Sequence, residues 1–271
     1  MALTSVRFAR PATPPEFHRM IATRNGLSAR RALPLELRWD NHRRPLPVRW
    51  VIPTGRRSRV APSSTPPLAG PLDFCGRMRR LCEDVADRCE ALRHVRMTGV
   101  LLSFTPCRNR SRYGLQARVT PLRFRDGRLT RRHGPVEYQV QRFVVDGTEM
   151  LYILTFCLPR FLDQPFEEKL VTVFHELYHM SPAFDGDLRR HPGRYAVHSH
   201  SKACYDARMA ELVTEYLADH PEPELFDFLR PGYQDLWDRH GGITGAVVPR
   251  PKLLPVGWAT PRLAARDRSR G

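Results

Sequence analysis

The chain has 271 residues and a mass of 31.3 kDa, with 41% hydrophobic and 27% charged residues, enough for one sizeable domain with appendages or two small ones. No apolar run approaches the roughly 18–20 residues that a bilayer-spanning helix needs, and no apolar segment follows Met1; this excludes an integral membrane protein and points to a cytoplasmic one. The net charge of +16 is unevenly spread: residues 1–70 carry 13 basic and 3 acidic side chains, whereas 161–240 carry 8 and 15.

Residues 1–71 are rich in proline and arginine and lack periodicity, which predicts a disordered arm. An amphipathic helix is expected over 72–94, where Phe74, Met78, Leu81, Cys82, Val85, Cys89 and Leu92 recur at steps of three and four. Four β-rich runs follow, at 95–104, 115–124, 136–145 and 149–158. The turn pairs Asp126-Gly127 and Asp146-Gly147 fall between them and suggest a mostly antiparallel sheet. A second helix is expected at about 164–180, with Asp163 as N-cap and Glu167 and Glu168 at the positive end of its dipole. A third runs over 201–220 and stops at Pro221. Two short helices at 222–230 and 232–239 precede Gly241-Gly242. The fold class is therefore α+β: an N-terminal helix, a small sheet and then helices, over 72–242. Residues 243–271 form a second basic, flexible tail.

The six cysteines form no CxxC pair. Cys75, Cys82 and Cys89 lie along one helix face about 10 Å apart, too far to bridge or to share a metal, so buried thiols in a reducing compartment are expected.

The chemistry is concentrated in His175-Glu176-Leu177-Tyr178-His179, an HExxH. Histidines four apart on a helix share a face, so both imidazoles reach one Zn²⁺, and Glu176 stands where a general base for the metal's water is needed. A catalytic zinc takes a third protein ligand. Four residues compete for that place: Asp185, ten residues after His175; His191; and His198 and His200, which form a His-x-His before the third helix. The other metalloprotease pattern that opens with His-x-His is excluded, because its Ser and Asp would fall on Arg208 and Glu211.

The segment HELYHMSPAFDGDLRRHPGRYAVHSHSKACYD resembles the core of the phage-type metallopeptidases, zincin-like proteins, through HELxH, FDGxLRxH and the later HSH. The resemblance covers about 72–220 and implies a minimal zincin domain that hydrolyses a protein or peptide substrate. SprT-like and WLM-type peptidases look like distant relatives, in which a His-Gly and an aromatic follow HExxH. Here that stretch reads His191-Pro192-Gly193-Arg194-Tyr195, with Pro192 inserted, and His191 is the favoured third ligand. Asp185-Gly186-Asp187 is expected to turn and orient a ligand histidine. Arg189, Arg190 and Arg194 are expected either to bind substrate or to pair with acidic neighbours. Tyr178 and Tyr195 are expected as buried aromatics, with donation to an oxyanion the alternative role for either. The competing reading is a nucleic-acid-associated protein with a structural metal, motivated by the basic arms and the CRNRSR stretch at 107–112.

Overall fold

The computed structural model describes residues 36–39, 42–47, 70–107, 114–190, 202–246 and 248–258. All of these fall within one unit, Leu33–Gly271. In chain order the elements are β1 (Glu36–Trp39), β2 (His42–Pro47), β3 (Leu72–Asp73), α1 (Phe74–Arg88), β4 (Val100–Pro106), β5 (Ala117–Pro121), β6 (Thr130–His133), β7 (Val136–Val140), β8 (Val144–Val145), β9 (Thr148–Glu149), β10 (Tyr152–Leu158), α2 (Phe166–Tyr178), α3 (Lys202–Ala218), α4 (Tyr233–His240), β11 (Ile243–Thr244) and β12 (Leu253–Trp258). The fold is mixed α+β.

The first helix is shorter than its apolar period suggests. Asp73 caps it by accepting from Gly76 N–H at 3.0 Å, and a side chain at Gly76 would collide with that carboxylate. The helix ends at Arg88, and Leu92 continues the apolar pattern from a separate 3-10 turn, Glu90–Leu92. Phe74 anchors the core: its ring meets Phe104, Phe156, Phe161 and Phe228 edge-on at centroid distances of 5.6 to 6.4 Å.

The central sheet has the order β4-β10-β5. Its middle strand runs parallel to β4 (Tyr152 opposite Val100) and antiparallel to β5 (Leu154 opposite Val119), so the expectation of a mostly antiparallel sheet fails here. Every residue of β10 is buried, as a strand covered on both faces must be. Of the two Asp-Gly pairs, Asp146-Gly147 closes the β8–β9 hairpin with positive φ at both positions. Asp126-Gly127 instead sits in a 3-10 turn; the hairpin there joins β6 to β7 around Gly134.

The chain flanking 72–242 also contributes strands. β1 and β2 pair with each other, and β1 meets β8, within the stretch expected as an arm. β11 pairs with β3, and β12 pairs with β7 from Leu253 opposite Val140 to Trp258 opposite Val136, so residues 243–258 belong to the fold rather than to a loose tail. Among the described residues no helix is long and apolar enough to cross a membrane.

Candidate metal centre

α2 follows β10 through a short turn and buries Leu170, Val173, Phe174 and Leu177 on one side. Its start differs from expectation. Pro165 takes the N-cap position without a side-chain bond, and Asp163 accepts instead from Tyr233 N–H at 3.2 Å, at the head of α4. The helix is tied down by Lys169, which is fully buried and donates to the carbonyls of Leu229 (2.6 Å) and Pro231 (2.9 Å). Burial lowers its ammonium pKa to about 8.

At the other end of α2 the histidine pair converges. The Nε2 atoms of His175 and His179 lie 2.8 Å apart, with the rings nearly perpendicular. At that distance one nitrogen can donate its N–H to the other, an ordinary hydrogen bond; only with both bare would two lone pairs face each other. A shared proton or a shared cation resolves the conflict. Two nitrogens bound tetrahedrally to zinc at about 2.0–2.1 Å lie roughly 3.3 Å apart, so a side-chain adjustment of about half an ångström fits the pair to the ion. The donor chemistry and spacing suit Zn²⁺.

Glu176 is anchored to the sheet. Its Oε2 accepts from Val119 N–H of β5 at 2.7 Å. Val119 lies opposite Leu154, and β5 is the outer strand of its sheet, so this amide is available to α2. Burial pushes the Glu176 carboxyl up to about 7, against the opposing pull of the Val119 bond and the Arg118 charge.

α3 covers the imidazoles from the far side. The Tyr205 ring stacks on His179 (centroids 5.6 Å, interplanar 20°) and stands edge-on to His175 (4.8 Å). Burial holds its phenol well above the ordinary tyrosine pKa. Asp206 brings Oδ1 to 3.9 Å from His175 Nδ1, on the side of the ring away from His179. A carboxylate there favours a proton on Nδ1 and leaves Nε2 to bind metal. Neither Tyr205 nor Asp206 is marked out by the sequence. Their part in the site is set by how α3 crosses α2, and no spacing within α3 carries that information.

The segment after the histidines is a clasp. Met180 bridges Leu188, and Tyr152 on β10 both donates to the Asp187 carbonyl (2.8 Å) and accepts from Gly186 N–H (3.0 Å). Gly186 has φ +88°, and an added Cβ would press on the Arg123 side chain. The Asp187 carboxylate accepts from Leu188 N–H, from Asp126 N–H and from the Arg190 guanidinium through both oxygens. Asp185 accepts from Asp187 N–H. Among the described residues both aspartates are thus engaged with backbone and, for Asp187, with Arg190. Arg189 completes the end of α2: its backbone N–H reaches the His179 carbonyl and its Nε the Tyr178 carbonyl, each at 2.7 Å. Its guanidinium lies 3.9 Å over the Tyr178 ring and 3.3 Å from His94 Nε2. Among the expected roles of Arg189 and Arg190, the structural one is what these contacts build.

Asp185 is not assembled with the histidine pair, since no group of three metal-binding side chains forms among the described residues. His191, His198, His200, Arg194 and Tyr195 lie outside those residues. No family model, no curated protein and no solved structure matches the chain.

Proposed function

We propose that the protein is a zinc-dependent metallopeptidase of the phage-type, zincin-like kind, acting on a protein or peptide substrate in the cytoplasm. The observation that supports this most is the convergence of His175 Nε2 and His179 Nε2, with Glu176 between them in the chain and fixed by a strand amide. His175 and His179 would hold the ion, with His191 the favoured third ligand and His198 and His200 its rivals. Zinc bound there would supply a Lewis acid for the scissile carbonyl and a water of lowered pKa. Glu176 is held at Oε2 by Val119, which leaves Oε1 to take a proton and return it to the leaving amine. Tyr205 fixes the tilt of both imidazoles, and Asp206 favours the metal-binding tautomer of His175.

Elemental mass spectrometry on the purified chain tests the reading. The expectation is one zinc per chain, lost in His175→Ala and in His191→Ala, with Glu176→Gln keeping zinc and losing hydrolysis of a peptide library. A wild-type chain that takes up no zinc on reconstitution, or a fully active Glu176→Gln, would overturn it.

A further inference from the structure

Beside the metal centre lies a groove of about 1090 Å³ that the zinc chemistry does not use. It runs from Pro121, at the end of β5, along the 125–132 stretch to Asp187, Leu188 and Arg190 of the clasp. Six arginines line it against two carboxylates, Glu137 and Asp187. Two of the six are already committed to the protein. Arg123 is buried against Glu149, and Arg190 forks onto Asp187. The other four are exposed. Arg125 has only a loose, solvent-exposed contact with Asp126 at 3.7 Å, and Arg132 spends its Nε on the Gly134 carbonyl, which neutralises no charge. Among the described residues, no carboxylate pairs with Arg128, Arg131 or Arg132. Exposed guanidinium groups bordering a concave surface suit carboxylates or phosphates, which they grip through paired N–H donors.

The groove is joined to the site. Pro121 is two residues, roughly 7 Å, along the strand from Val119, which holds Glu176. Leu188 pairs with Met180, the residue after His179. We infer that this arginine groove is a specificity surface that receives an acidic stretch of the polypeptide substrate on one side of the cleaved bond. This rests on the peptidase reading above.

Three observations favour an acidic polypeptide over a nucleic acid. β6 is the outer strand of the sheet β12-β7-β6, so an extended peptide meets backbone donors and acceptors along it. The large apolar side chain most exposed in the groove is Leu129, at 49%, which suits an aliphatic neighbour between acidic residues. The groove's one aromatic residue, Phe124, is half-buried and packs on the hydrophobic core, so the groove offers no exposed ring on which bases would stack.

The test is fluorescence anisotropy on the full chain carrying Glu176→Gln, with and without Arg128→Ser/Arg131→Ser/Arg132→Ser, at about 50 mM salt. The probes are a labelled glutamate-rich peptide, a lysine-rich peptide of equal length and a labelled single-stranded oligonucleotide. The triple variant is expected to bind the glutamate-rich peptide about tenfold more weakly, with oligonucleotide affinity within about twofold of the parent. Arg131→Glu alone should move the peptide Kd in the same direction, which keeps the test open should the triple variant fold poorly. An equal loss for the oligonucleotide would overturn the inference in favour of a phosphate-binding groove, and unchanged peptide affinity would overturn it outright. Because binding is read without hydrolysis, a chain that fails the zinc test yet shows the selective loss keeps the groove and loses only the peptidase reading.

Discussion

The two flanks of the histidine pair are built on different principles. On one side, the clasp from Ser181 to Arg190 is bound through many hydrogen bonds to β10, to the 125–127 turn and to the end of α2, with the Asp187 carboxylate buried at its centre. On the other side, α3 touches the imidazoles through one aromatic ring and one half-exposed carboxylate at 3.9 Å. The first arrangement makes position nearly independent of solvent conditions. The second covers the rings, burying His179 and leaving His175 partly exposed, and sets a carboxylate on the Nδ1 side of His175. Rigidity and reactivity are thus supplied by different segments.

The sharpest way to break this contrast is Asp187→Ala. It takes the buried acceptor from the Asp126 and Leu188 amides and releases the exposed Arg190 guanidinium to solvent, and should cost about 2 kcal/mol in urea unfolding. Tyr152→Phe removes two hydrogen bonds from the same clasp with little change of volume, so a loss of about 1–2 kcal/mol is expected by the same measurement. On the α3 flank the expectation reverses. Asp206→Ala should leave the unfolding midpoint almost unchanged and weaken zinc about tenfold in a competition titration, as loss of an imidazole's carboxylate partner does. A stability loss there as large as that of Tyr152→Phe would erase the distinction.

The smallest effect is a pH dependence. Burial, followed by the charge of Arg189, lowers the pKa of His94 below 6.5 in the folded state. The unfolded chain therefore binds this proton first as pH falls. Stability should decline with acidification from about 6.5 down to the folded-state pKa, and then level off. His94→Gln should flatten that decline in thermal melts across pH 5 to 7.

Local signals in the sequence were sufficient for α2, α3 and the histidine pair, because each depends on residues three or four apart. They were also sufficient for the Asp146-Gly147 hairpin, whose turn needs only two adjacent residues with positive φ. What escaped depends on distant partners. The periodicity of β4 and β10 does not reveal that they run parallel, since burial on both faces removes the alternation that would mark a face. Asp163 looked like a cap for α2 and serves α4, 70 residues on. The strand β12 follows Pro249 and Pro251 and contains Pro255, a loop-like composition, and only its pairing with β7 makes it a strand. The turn at Asp185-Gly186-Asp187 was legible from its composition, whereas the partners of its carboxylates, Asp126 N–H and Arg190, are set by the fold.

The bond from Val119 to Glu176 carries one more consequence, in the order of assembly. The two histidines are neighbours by virtue of a single helical turn, which forms in well under a microsecond once its residues are helical. Glu176 is placed by an amide 57 residues earlier in the chain, on a strand that must first dock on β10, itself paired with a strand more than 50 residues away. Closing loops of that length is the slow part of building such a sheet. A partly folded chain therefore brings its two imidazoles together before it positions the Glu176 carboxylate. Under the proposed function, the histidine pair would be in place before the carboxylate that is to act as base, and the newly made chain would be spared that chemistry until the sheet is complete.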